Sequence, residues 1–292
     1  MTIATVEFDQ AGLGRWTEEV RFEVTRERLI EYAAATNDPI PAHRAGDVAS
    51  PVFAIVPVFQ ALMYPALEVV PVSLFGKILH GEQDFRFHRP IVPGDRLISR
   101  GRMTGWEGLE NGTRACVHLE CRDAAGDLVN EQYVTFFVRG FDDGRKVGDL
   151  SPPHKFDEGL RGGDAIADFT QRIDEDQTFR YADASGDPMP IHLDEDSALA
   201  AGLPGIIAHG FCVLAFTSWG LLEAVGDSDV TRLSRLAARF AKPVLPGEEI
   251  RTRAFAGPDG DGSGCLSFET WAGDQTVIRD GLAEFASRDV QT

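Results

Sequence analysis

The sequence predicts an α+β protein in which one fold is made twice, each copy an antiparallel sheet wrapped round a long central helix. Three observations carry this. Residues 32–43 (Y-A-A-A-T-N-D-P-I-P-A-H) and 181–192 (Y-A-D-A-S-G-D-P-M-P-I-H) share their Tyr, Asp, Pro and His at a single offset. Further on, R-F-H-R-P-I-V-P-G-D (86–95) matches R-F-A-K-P-V-L-P-G-E (239–248) at an offset four residues larger, so the first copy is shorter between His43 and Pro51. Finally, each copy places a long apolar segment ahead of several segments of alternating character.

Each copy opens on an extended stretch, 16–24 or 168–173. A short helix follows, with Thr25 or Asp174 as its expected N-cap and acidic residues in its first turn. The Gly, Pro, Asn and Asp of the repeated segment predict a loop. Next come 57–70 and 210–225, whose length favours buried helices over strands, with Pro65 expected to kink or end the first of them. The second copy alone carries LDEDSALAAG (193–202), a helix with Asp194 as N-cap and Gly202 just past its end. Strands such as DFRFHRP, RLISRGRM, ACVHLECRD and QYVTFFVRG complete the first copy, with turns expected at Asn111-Gly112 and Ala125-Gly126. The glycines of 257–264 predict a flexible hairpin loop. Gly, Pro and charge concentrate in 141–165, so the repeats are set at 1–145 and 166–292 with a linker at 146–165.

The chain has 292 residues, 43% hydrophobic and 25% charged, enough to fill two cores. Its formal net charge of −18 disfavours nucleic acid and anionic membranes as partners. No apolar run is expected to reach the roughly 20 residues that span a bilayer. The four cysteines form no C-x-x-C pair, and the N-terminus has no signal-peptide pattern, which together suggest a cytoplasmic protein. One basic stretch, 231–242, holds Arg232, Arg235, Arg239 and Lys242 without an acidic residue. No phosphate loop, nucleophile elbow, dinucleotide motif or zinc-ligand spacing is found, so neither a metal nor a redox cofactor is expected.

The segments S-G-D-P-M-P-I-H (185–192), I-I-A-H-G-F (206–211) and H-G-E-Q-D-F-R-F-H-R-P-I-V-P-G-D (80–95) resemble the MaoC-like hydratases and dehydratases. The resemblance covers most of 15–290 and implies a tandem, or double, hotdog fold. It also implies reversible hydration of trans-2-enoyl thioesters to (R)-3-hydroxyacyl thioesters, carried by coenzyme A or an acyl carrier protein. In that reading Asp187 and His192 hold and activate the water, and the backbone N–H of Gly210 donates to the thioester oxygen. The family pattern is G-D-x-N-P-[LIV]-H, and Met189 stands where its Asn belongs. Met189 and His209 join the substrate-side set, and Arg235, Arg239 and Lys242 are candidates for the phosphates of coenzyme A.

The chemistry supports these roles on its own terms. A carboxylate and an imidazole on one water can remove and return a proton, each contributing roughly 10²–10⁴-fold. A backbone donor at a helix N-terminus stabilises the enolate-like oxygen. With the deletion counted, His209-Gly210 aligns with Val56-Pro57, and proline has no N–H to give. The second copy is therefore read as the reaction site, and the first as part of the acyl pocket, with Asp38 and His43 a vestigial second site. Two alternatives stay open: a non-catalytic acyl-thioester binder, suggested by Met189, and a hotdog thioesterase using Glu68 or Glu223. The acyl group, the direction of reaction, and whether the chain forms a homodimer also stay open.

Overall fold

The computed structural model describes residues 7–257 and 264–286. In chain order the elements are β1 (Val20–Glu23), α1 (Arg26–Ala35), α2 (Pro41–Arg44), α3 (Phe59–Val69), β2 (Ile78–Phe87), β3 (Arg96–Leu109), β4 (Gly112–Arg122), β5 (Leu128–Arg139), β6 (Lys146–Gly148), β7 (Ala167–Arg172), α4 (Gln177–Ser185), α5 (Glu195–Ala200), α6 (Gly210–Val225), β8 (Leu233–Phe240), β9 (Glu249–Ala256), β10 (Cys265–Ala272) and β11 (Gln275–Phe285). They gather into two compact units. One comprises the chain up to Phe22 with Pro57–Phe85 and Arg96–Pro153; the other comprises Glu23–Val56, Arg86–Asp95 and the chain from His154 onward. The second unit thus takes α1 and α2 from the first sequence repeat.

In the first unit the strands run in the order β1-β3-β4-β5-β2, with β6 added to β3. β3, β4 and β5 are joined as antiparallel neighbours. α3 lies against β3 at very short range because Gly101 has no side chain. A Cβ there would fall 2.6 Å from the carbonyl oxygen of Ala61. Ser99 donates its hydroxyl to the carbonyl of Pro57 at 2.9 Å, tying the approach to α3 down to the sheet.

In the second unit the order is β8-β11-β10-β9-β7. α6 packs on this sheet and buries eleven of its sixteen residues, Phe211, Leu214, Phe216, Leu221 and Leu222 among them. At roughly 1.5–3 kcal/mol for each large side chain, this burial outweighs its lack of a side-chain N-cap. Gly220 plays the part of Gly101, since a Cβ there would meet the ring of Phe169 at 2.2 Å. α1 and α4 meet through Tyr32 and Tyr181, fully buried, whose hydroxyls are 3.2 Å apart. Trp219 of α6 donates its indole N–H to the carbonyl of Thr36 at 3.0 Å.

Several sequence expectations are met. Thr25 caps α1 by accepting from the Arg28 N–H, and Asp194 caps α5 by accepting from the Ser197 N–H. Others need correction. Asp176 rather than Asp174 holds the N-cap position of α4, without a side-chain cap bond, and the Asp174 carboxylate accepts from Arg180 and Asn37. The first long helix is split: a 3-10 helix runs Pro51–Val58, and α3 begins at Phe59, because Pro57 removes a donor from the first turn. Pro65 neither ends nor interrupts it. Gly112 belongs to β4 and pairs with Leu109, so the turn is Glu110-Asn111. Taken together, Pro51–Val69 does reach the length and hydropathy of a membrane span (19 residues, 1.7), but 67% of it is buried inside the protein, as a core helix is. The linker contains β6 and an anchored side chain, Phe156, 3% exposed. Residues 258–263 of the expected hairpin loop lie outside the described residues.

Candidate active site

α4 ends at Gly186, whose left-handed backbone (φ 74°) lets its N–H return to the carbonyl of Ala182. The chain then passes through Asp187-Pro188-Met189-Pro190 into a 3-10 turn, Pro190–His192. Each proline holds the residue before it extended, which turns the Asp and His toward each other over a short span. The Met189 N–H donates to Asp187 Oδ1 at 3.2 Å, an Asx turn that uses the Asp187 side chain and only the backbone of Met189. The Met189 side chain is half exposed, so the turn does not depend on which side chain stands there.

His192 is buried, and its Nδ1 donates to the carbonyl of Ile207 at 2.8 Å. A carbonyl only accepts, so the proton sits on Nδ1 and Nε2 keeps its lone pair. The ring stacks on His209, centroids 3.8 Å apart and planes 25° apart. One side-chain atom each from Asp187, His192 and His209 lies within 4.8 Å of the others. His209 immediately precedes Gly210, so the pair sits at the start of α6. There the Gly210 N–H has no acceptor one turn back inside the helix.

The surroundings set the charges. Burial raises the Asp187 carboxyl above its usual range, against the pull of His192 and the Met189 N–H. Burial likewise lowers His192, keeping the imidazole neutral at neutral pH. His209 is pushed down to about 3, chiefly by burial and then by the neighbouring His192. A residue with no sequence motif completes the site. Thr178 of α4, fully buried, donates to the His192 carbonyl at 2.8 Å and lies 3.2 Å from His209 Nδ1.

The first copy is arranged differently. Asp38 Oδ2 accepts directly from His43 Nδ1 at 2.7 Å and from the hydroxyl of Ser50 at 2.6 Å, while Oδ1 accepts from the Ile40 N–H. Both side chains of the pair have no exposed surface. A cavity of about 450 Å³ borders residue 38, lined also by Ile30, Asn37 and Arg44, but the Asp38 carboxylate is buried away from it and engaged by three donors. Sequence reasoning found the pair and missed Ser50, the residue that locks it.

The basic stretch is less available than its sequence suggests. Arg232 pairs with Asp227 at 2.6 Å, Arg235 with Glu284 at 3.1 Å, and Arg239 with Asp280 at 3.8 Å, all acids from other segments. Lys242 is exposed. As metal ligands, Asp187, His192 and His209 have suitable spacing, but the Asp187 carbonyl holds the ring proton of His209 on Nε2, and the Thr178 hydroxyl oxygen, 3.2 Å away, covers its Nδ1. Two open donors remain, fewer than the three or four protein ligands that hold zinc.

A carboxylate and a neutral imidazole at a helix N-terminus on a double hotdog scaffold define a hotdog protein equipped for acid–base work. Comparison with known proteins agrees. Residues 163–262 match the family model described as MaoC like domain, and residues 11–132 match the FAS1-like dehydratase domain region. The 3-hydroxyacyl-thioester dehydratase Y of Mycobacterium tuberculosis is 30% identical over 84% of this chain and 86% of its own length. A probable enoyl-CoA hydratase 2 of Dictyostelium discoideum is 32% identical over 61% of this chain, and the match spans 60% of that protein. A MaoC-like dehydratase from Phytophthora capsici superposes with a TM-score of 0.81 at 21% identity, over 92% of this chain and 95% of that one, which shows the shared fold. The chain belongs to the MaoC-like hydratase and dehydratase family of hydro-lyases.

Proposed function

We propose that Asp187 and His192 bind one water and add it across the double bond of a trans-2-enoyl thioester, or remove it from an (R)-3-hydroxyacyl thioester. In hydration the water oxygen bonds to Cβ as one of its protons passes to the pair. Negative charge moves onto the thioester oxygen, where the Gly210 N–H and the first turn of α6 receive it. The proton then goes to Cα, and the thioester carbonyl re-forms. No external oxidant, metal or prosthetic group enters this balance. Coenzyme A or an acyl carrier protein is the carrier of the acyl group.

The observation that carries this reading is the 2.8 Å contact of His192 Nδ1 with the Ile207 carbonyl, which assigns the proton to Nδ1 and leaves a basic lone pair on Nε2 beside an Asp187 carboxylate whose Oδ1 alone is engaged. The first copy lacks the free carboxylate oxygen, since both Asp38 oxygens are engaged by His43, Ser50 and the Ile40 N–H, and Pro57 has no N–H to offer a thioester oxygen. Met189 in the family's Asn position changes what meets the substrate but leaves the pair's geometry in place. The thioesterase reading gains little, because Glu223 lies near the far end of α6 from Gly210.

The test is to incubate the protein with short trans-2-enoyl-CoA esters and follow loss of conjugated absorbance. The reading expects turnover, and an Asp187→Asn variant slowed by at least about 10²-fold. Saturable binding without product would favour the binder instead, and full activity in Asp187→Asn would move the chemistry elsewhere.

A further inference from the structure

The two copies serve as controls for each other. In the first, Asp38 and His43 have closed onto one another at 2.7 Å. In the second, His192 turns its Nδ1 to the Ile207 carbonyl, and Asp187 Oδ1 accepts from the Met189 N–H. Matching the copies at Tyr32 and Tyr181 places Leu29 opposite Thr178. The offset that follows the deletion places Val56 opposite His209. All four side chains are buried. A polar couple in the second copy therefore corresponds to an apolar couple in the first.

That polar couple grips the loop at two points. The Thr178 hydroxyl donates to the backbone carbonyl of His192 at 2.8 Å. His209 Nε2 reaches the backbone carbonyl of Asp187 at 3.1 Å, and because a carbonyl only accepts, the ring proton sits on Nε2. Its Nδ1 then faces the Thr178 hydroxyl at 3.2 Å. The same ring lies flat against His192 and leaves it little room to swing. Leu29 and Val56 can make none of these contacts.

We propose that Thr178 and His209 are positioning residues that hold Asp187 and His192 apart, keeping open the water position that has closed in the first copy. The inference rests on the reading that this pair holds the reacting water. Displacing a reacting group by about 1 Å can cost on the order of 10²-fold in rate.

The experiment compares the isosteric Thr178→Val variant, the hydroxyl-retaining Thr178→Ser variant, and a double variant, Thr178→Leu with His209→Val, that copies the first repeat. Two readouts are taken: kcat and KM on an enoyl-CoA ester, and the imidazole ¹⁵N and N–H proton signals of histidine-labelled protein. Thr178→Ser should keep kcat. Thr178→Val and the double variant should lose about 10²-fold in kcat with KM little changed. In both, His192 should leave the Ile207 carbonyl and acquire a low-field proton signal like that of His43. Unchanged His192 signals in Thr178→Val overturn the proposal whatever the rates do, as does equal loss in Thr178→Ser. If the double variant does not fold, the single one decides. If the wild type turns over no enoyl thioester yet the signals shift as described, the spacer stands and the reaction assignment fails.

Discussion

At the scale of the residue, one hydrogen-bond acceptor separates the two Asp–His pairs. His43 spends its Nδ1 on Asp38, whereas His192 spends its Nδ1 on a backbone carbonyl. The spacing of Asp and His was legible in the sequence because the intervening prolines fix it. The choice of acceptor was not, because Ile207, Ser50 and Thr178 belong to no pattern and meet the pair only through the fold. Protonation follows from the same contacts. The reacting form needs Asp187 ionised and His192 neutral. Burial raises the first above its usual 3.8 and lowers the second below its usual 6.5. Protonating either group removes the proton acceptor. The value of kcat/KM is therefore expected to fall as the pH drops, on an acid limb whose imidazole step is centred below the usual 6.5, as a pH–rate series will show. A limb centred above 6.5 would contradict the lowered imidazole.

At the scale of the element, the start of the central helix decides which copy reacts. Both helices were expected from their apolar length, and both approach their sheets through a glycine. Their N-termini differ: Gly210 opens α6, while Pro57 sits in a 3-10 helix ahead of α3. Proline is tolerated at the first helical position, and His209 already has the extended backbone (ψ 135°) that a following proline requires. Gly210→Pro should thus retain the helix while removing the donor. Its ring must displace Phe240, which a Cβ at this position would already approach to 3.1 Å. A fall in kcat of about 10²–10³-fold is expected from steady-state rates. The loop of the first copy makes the opposite contribution, to stability. Asp38→Asn leaves His43 and Ser50 buried without their shared carboxylate and should cost about 3–5 kcal/mol in denaturant unfolding, with enoyl-thioester turnover kept. Loss of turnover in folded Asp38→Asn would mean that the first copy does chemistry after all.

At the scale of the whole molecule, duplication was the most legible feature, because a shared offset survives divergence at most other positions. The partition into compact units was not legible. Composition marks 141–165 as a joint, yet the contacts that gather residues 23–56 with the second repeat are made by Tyr32, Thr36 and Asn37, none of which signals a distant partner in sequence. The basic stretch misled for a similar reason: it carries no acid itself, but acids just ahead of it and across the sheet pair with its arginines.

That borrowed segment has a consequence for biogenesis. Tyr32 finds Tyr181 only 149 residues later in the chain. At about 5–20 residues per second, a ribosome needs roughly 7–30 s to supply the partner, during which Tyr32, Phe53 and their apolar neighbours stay uncovered. Nascent chains stalled before Tyr181 should be cut readily between residues 23 and 56 by a dilute protease, and chains stalled past the last strand should resist. The interval is a natural opening for a chaperone, and it makes slow codons between the two repeats a hazard to yield rather than a help.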